Sequence, residues 1–131
     1  MIKIGTDICS IQRLSSAYSR FGNRLLARIL TEQEIAYVLS HPAHTVARLA
    51  GRFAAKEAAS KALGTGWRGI SWKEVEILKE ASGAPALKLH GRAARLADRL
   101  NLTHWEVSLS HDRDYATACV LAYSHNHSGH G

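Results

Sequence analysis

The stretch Gly51-Arg52-Phe53-Ala54-Ala55-Lys56-Glu57-Ala58-Ala59-Ser60-Lys61-Ala62-Leu63-Gly64 constrains this chain more than any other. It is built from strong helix formers, and Gly64 stands where a left-handed residue would end the helix. At 3.6 residues per turn, Val46, Leu49, Ala50 and Phe53 form one apolar stripe, and Glu57 falls in the middle of it. A carboxylate facing a core is costly unless paired, so Glu57 is expected to have a cation, a metal or a proton. Lys61, one turn on, offers the plainer alternative, an i,i+4 ion pair worth roughly a few tenths of a kcal/mol if exposed.

The segments around this helix read as an alternation of strands and helices. Ile2 to Ile8 alternates apolar and polar residues as a short strand does, with Asp7 at its expected end. Ser10 is a suitable N-cap for a following helix, beyond which Arg13, Arg20, Arg24 and Arg28 recur near one face, with Gly22-Asn23 interrupting the row between Arg20 and Arg24. That row reads either as a solvated face or as a landing strip for an acidic partner. Thr31-Glu32-Gln33-Glu34 is a capping box opening a helix to about Ser40, and His41-Pro42 breaks it. The long helix is expected from about Ala43 to Leu63.

Beyond the glycine-dense loop Gly64 to Gly69 come a capped turn at Ser71–Glu74 and strands at Val75–Leu78 and Ala86–Leu89. The loop lacks the lysine and spacing of a Walker motif. Arg92 to Leu100 is an amphipathic helix, and strands at Trp105–Ser110 and Tyr115–Ala122 flank a turn at His111–Asp114. Strand, three helices, two strands, helix, two strands predicts an α+β fold, a mostly antiparallel sheet packed against one long helix. Residues 1–123 form the expected single domain, and 124–131 a disordered histidine-rich tail.

Composition narrows the function. With 131 residues, 46% hydrophobic and 21% charged, the chain can bury a real core and is not globally disordered. No apolar run approaches membrane-spanning length and the sequence passes from Met1 directly into a strand pattern, so neither a membrane span nor a leader is expected. Cys9 and Cys119 make no disulfide or zinc framework, which suits a cytoplasmic protein. The net charge of +6 favours an anionic partner without choosing among nucleic acid, a phosphorylated small molecule and an acidic protein.

Three stretches carry chemistry: Gly5-Thr6-Asp7-Ile8, Phe53 to Ala62 with Lys56, Glu57 and Lys61, and Ser108-Leu109-Ser110-His111. Together, from Ile4 to about Ala122, they closely resemble the small holo-[acyl-carrier-protein] synthases of the 4'-phosphopantetheinyl transferase family. The resemblance implies coenzyme A as donor, Mg²⁺ as metal and a serine of apo acyl carrier protein as acceptor in fatty-acid biosynthesis. Adenosine 3',5'-bisphosphate would be the leaving product. It implies Asp7 and Glu57 as metal ligands and catalytic residues, and Lys61 as a second cation on the phosphates.

Coenzyme A contacts are implied at Lys56, Lys61, Gly64 and His111. Lys56 lies off the Glu57 line, and both nucleotide and solvent are open to it; His111 is otherwise a plain turn histidine. Glu57 is one candidate general base, and Asp112 a weaker one. Arg13 and Arg20, supported by Arg24 and Arg28, match the face that meets an acidic helix of the carrier. A homotrimer with sites shared between neighbouring chains is also implied. Gly83-Ala84-Pro85 departs from the family pattern, in which a basic residue commonly stands between glycine and proline. The rival reading from another class is a basic nucleic-acid-binding module, permitted by the charge and three Trp. It lacks an aromatic-rich strand, a zinc pattern and a helix-turn-helix. Within the same chemistry, the carrier could instead belong to a polyketide or nonribosomal synthase.

Overall fold

A computed structural model describes residues 1–124; the histidine-rich segment 125–131 lies outside the described residues. The elements run β1 (Ile2–Ser10), α1 (Ile11–Phe21), α2 (Asn23–Ile29), α3 (Glu32–Leu39), α4 (Thr45–Leu63), β2 (Val75–Lys79), β3 (Pro85–Leu89), α5 (Gly91–Arg99), β4 (His104–His111) and β5 (Tyr115–Tyr123). Short 3₁₀ turns occupy Pro42–His44 and Trp72–Glu74. The expected α+β class holds, with two refinements. The sheet is two antiparallel sheets, β1-β5-β4 and the hairpin β2-β3. Four helices, not three, precede that hairpin, because Gly22 at φ 59° breaks the first one between Phe21 and Asn23.

Local signals account for most boundaries. Ser10 Oγ accepts from the Arg13 amide at 3.2 Å, and the Thr31–Glu34 capping box is formed in both directions. Gly64 is left-handed at φ 86° and ends α4, its amide donating to the carbonyls of Ser60 and Lys61.

Helix α4 is the centre of the molecule. It packs on β1, β4 and β5 of the larger sheet and on α1, α3 and β2. Leu49, Ala50, Ala54, Ala55, Ala58, Ala59, Ala62 and Leu63 are all buried. A helix enclosed on so many sides shows no clean apolar stripe, and this corrects the simple one-face reading. Val46, Phe53 and Glu57 are only half-buried.

Strand β1 lies against this alanine surface. A Cβ on Gly5 would collide with the Ala58 carbonyl oxygen, so only glycine lets the two backbones meet. Side chains alternate along the strand. Gly5 and Cys9 are buried and Asp7 is half-buried, whereas Ile2, Ile4 and Ile8 are exposed. β1 does not end at Asp7; pairing with β5 continues from Asp7↔Ala118 to Ser10↔Tyr115. Among the described residues, no helix is long and apolar enough to cross a membrane.

Candidate active site

The close approach at Gly5 sets Asp7, two residues on, beside the last turns of α4. Lys61 Nζ donates to Asp7 Oδ1 at 3.2 Å and to the Thr6 carbonyl at 2.9 Å. Lys61 is therefore a partner of Asp7, across two elements, and not the local i,i+4 partner of Glu57. Glu57 Oε1 instead accepts from the indole Nε1 of Trp67 at 2.8 Å. Asp7 and Glu57 both line one cleft of about 410 Å³, together with Arg13, Leu25, Ile29 and Phe53.

The donor set of that cleft decides which metal would fit. Each carboxylate spends one oxygen on a protein donor and shows no hydrogen bond to the other among the described residues. Two carboxylates with spare oxygens suit Mg²⁺, which takes one or two such ligands and completes its shell with phosphate oxygens and waters. No group of three or more His, Cys, Asp or Glu is gathered anywhere among the described residues, so an all-protein cage is absent there.

Lys56 requires a correction. It opens neither to solvent nor into the Asp7–Glu57 cleft: its side chain is 0% exposed and its Nζ donates to Glu34 Oε1 at 2.7 Å and to the Trp72 carbonyl at 3.0 Å. Being one residue before Glu57 turns it about 100° around the helix, into the core. Burial pulls its pKa down from the ordinary lysine value, and Glu34 opposes that fall. Glu34 is equally enclosed, also accepting from the Thr31 amide at 2.9 Å and the Ile77 amide at 2.8 Å. Its neighbour Glu76 accepts from Thr31 Oγ1 at 2.6 Å and pairs with His90 Nε2 at 2.9 Å. Burial pushes Glu76 up, but Thr31, His90 and Lys56 together carry it below the usual carboxylate value.

Gly64 too has a different office. Its amide is committed to the cap of α4, so that N–H is no free donor for a phosphate. Asp112 is likewise occupied. Its Oδ1 accepts from the amides of Tyr115 at 2.7 Å and Asp114 at 2.8 Å, closing the β4–β5 turn. Those bonds, the Tyr115 amide first, hold its pKa below the ordinary aspartate value, a poor property for a base.

His111 is exposed at the end of β4 and does not line the Asp7–Glu57 cleft. It lines a separate cavity of about 340 Å³ with Tyr37, His44, Arg48 and Arg52. The guanidinium groups of Arg48 and Arg52 lie 4.1 and 4.2 Å from the centre of the Tyr37 ring. Arg52 is buried, with its Nε unpartnered among the described residues, and burial lowers its pKa.

Of the arginine row, Arg13 enters the Asp7–Glu57 cleft, while Arg24 and Arg28 border an adjoining cavity of about 580 Å³ that shares Leu25 and Ile29 with it. Arg20 is exposed, over the ring of Phe21. The sequence reading missed Trp67, Glu34, Arg48 and Arg52. The capping box accounts for Glu34 locally, and no local pattern marks the others.

Comparison with known proteins finds relatives along most of the chain. Residues 3–120 match the model of the 4'-phosphopantetheinyl transferase superfamily. A holo-[acyl-carrier-protein] synthase of Gloeobacter violaceus is 48% identical over 118 residues, which cover 90% of this chain and 89% of that protein. The chain belongs to the holo-[acyl-carrier-protein] synthase family of transferases. Another synthase of this family, from Solidesulfovibrio magneticus, is 50% identical over 90% of this chain and 94% of its own length. The crystal structure of the Neisseria meningitidis synthase superposes with a TM-score of 0.87 at 35% identity, covering 95% of this chain and all of that one. The Helicobacter pylori synthase in complex with coenzyme A gives 0.81 at 34% identity, covering 92% and 99%.

Proposed function

We propose that this protein transfers 4'-phosphopantetheine from coenzyme A to a serine of apo acyl carrier protein, in the cytoplasm and in the service of fatty-acid biosynthesis. In that reaction the serine oxygen bonds to the β-phosphorus, the phosphoanhydride breaks, and adenosine 3',5'-bisphosphate leaves. The serine proton passes to a base, for which Glu57 is the candidate.

The observation that carries this reading is the opening of Asp7 and Glu57 into one cleft with Lys61 held at Asp7. Asp7 and Glu57 would hold Mg²⁺. Bound there, the metal would neutralise charge on the pyrophosphate. Lys61, more than half exposed, is free to shift part of its charge toward the leaving phosphate. Arg13, Arg20 and Arg24 would receive the acidic carrier at the mouth of the cleft, with Arg28 beside them.

Two features favour the homotrimer. Ile2, Ile4 and Ile8 form an exposed apolar row on the sheet face turned away from α4, at 67%, 63% and 62% exposure. His111 with Arg48 and Arg52 lines a different cavity from the carboxylates. If His111 contacts phosphates held at Asp7 and Glu57, a neighbouring copy supplies it. Light scattering should report three chains, and an active monomer would overturn the assembly.

Intact mass of an apo carrier protein after incubation with coenzyme A and Mg²⁺ tests the chemistry. One phosphopantetheine should be gained, and lost with EDTA, Asp7→Ala or Glu57→Ala. No gain by any of several carriers from folded protein would defeat the reading. Comparing kcat/KM among fatty-acid, polyketide and nonribosomal carriers would identify the preferred substrate.

A further inference from the structure

The Gly64–Gly69 loop carries no lysine of a phosphate-binding motif, yet it folds back tightly over the end of α4. The amides of Gly64 and Gly66 both turn to the Ser60 carbonyl, at 3.1 and 3.3 Å. This reversal returns residue 67 to the level of Glu57, ten positions earlier in the chain. The result is the 2.8 Å hydrogen bond from Trp67 Nε1 to Glu57 Oε1.

The indole does not hang freely. Its ring stacks on Trp72 with centroids 3.9 Å apart, and Trp72 stacks in turn on Phe53 at 5.2 Å. Phe53 lies one helical turn before Glu57 on α4 and lines the same cleft. Trp72 is fixed from the other side, because its backbone carbonyl accepts from the buried ammonium of Lys56. A chain of contacts therefore leads from the core pair Glu34–Lys56, through Trp72, to the donor that holds Glu57.

We propose that Trp67 is a positioning residue for Glu57: its indole N–H fixes one carboxylate oxygen, and a pile of aromatic rings anchored by Lys56 fixes the indole. The inference rests on the transferase reading above, in which Glu57 faces metal and substrate. A glutamate has three side-chain torsions and, at a half-buried site, several rotamers to choose from. An indole has a single donor and cannot compete as a ligand, so it restrains one oxygen while leaving the other available. The loop's function is then to deliver an indole rather than to bind a phosphate through its own amides.

The test compares the wild type with Trp67→Phe and Trp72→Phe in steady-state transfer to apo acyl carrier protein while Mg²⁺ is titrated. Trp67→Phe keeps a ring in the pile and removes only the donor. It should lower kcat and raise the Mg²⁺ needed for half-maximal rate, each about tenfold or more, as loss of a group holding a metal ligand does. The KM values for coenzyme A and carrier should stay within about twofold, the signature of an interaction that matters to the chemical step.

A readout independent of turnover comes from the indole N–H signals of ¹⁵N-labelled protein. The signal that disappears in Trp67→Phe should move upfield in Glu57→Gln. Circular dichroism would establish that the variants are folded. Wild-type kcat and Mg²⁺ dependence in folded Trp67→Phe would overturn the proposal. Trp72→Phe keeps the donor and a smaller ring in the pile, so it should show the same changes in smaller measure. A loss larger than that in Trp67→Phe would overturn the proposal, since the pile and not the hydrogen bond would then be operative. An indole signal indifferent to Glu57→Gln would overturn it as well. An inactive wild type would defeat the transferase reading and take this role with it, which separates that failure from an active enzyme indifferent to Trp67.

Discussion

Lys56 and Lys61 stand five residues apart on one helix, and each meets one carboxylate, but they live under different physics. The Lys56–Glu34 pair is 2.7 Å long with both side chains at 0% exposure. The Lys61–Asp7 pair is 3.2 Å long with side chains at 53% and 16%. In the first, desolvation is severe and every polar atom must be matched; Glu34 meets that demand with two backbone amides besides the lysine. In the second, water screens the attraction and the pair contributes little to folding. One lysine is locked in the core, and the other, at its surface, is the one the proposed reaction would recruit. A charged residue's value to catalysis is not read from the tightness of its ion pair.

Breaking each pair separately should expose that contrast. Lys56→Ala leaves the Glu34 charge enclosed, and urea unfolding should show a loss of about 3–5 kcal/mol, the usual cost of stranding a buried charge. Lys61→Ala should change stability by less than about 1 kcal/mol. In the transfer assay, however, it should lower kcat about a hundredfold, as loss of a group stabilising developing negative charge commonly does. Equal stability losses in the two variants would collapse the comparison.

A third kind of charge, wholly outside both pairs, sharpens it. Arg20→Glu should raise the KM for carrier protein about tenfold and leave that for coenzyme A nearly unchanged, with a weaker salt dependence than the wild type. Equal effects on the two substrates would remove Arg20 from the docking face.

The smallest effect is expected from acid, on the enclosed side of the comparison. Glu76 has its pKa lowered in the folded protein, so its contribution is fully present above its unfolded value of 4.5 and is lost as pH falls through the depressed folded value. Urea midpoints should therefore decline below that pH, and Glu76→Gln should flatten the decline.

The elements were legible because their signals are local. Ser10, Thr31–Glu34, Pro42 and Gly64 each mark a boundary through bonds made within a few residues. Asp7, Glu57 and Lys61 were legible as a set through resemblance, and the structure brings them together. The partners of the two lysines were not legible. Glu34 is 22 positions from Lys56 and Asp7 is 54 from Lys61, and only the packing of α3 and β1 against α4 makes them neighbours. The stripe that placed Glu57 on the core face failed for a related reason. Buried alanines lie on nearly every side of α4, so periodicity no longer says which direction is inward. The residue with its charge fully enclosed was its neighbour, Lys56.

Strand β1 carries two unrelated duties in alternate letters. Gly5, Asp7 and Cys9 face α4, while Ile2, Ile4 and Ile8 face away. A single inserted or deleted residue would exchange the two sets and bring a side chain into the space only glycine can occupy beside Ala58. Over Ile2–Ser10 the fold of the single chain should thus accept spelling changes on its outward letters, at the expense of the proposed trimer, but no change of length. In a library of variants, that segment should behave as a ruler: substitutions at Ile2, Ile4 and Ile8 should leave soluble protein in greater yield than any frame-preserving insertion or deletion of one residue between them.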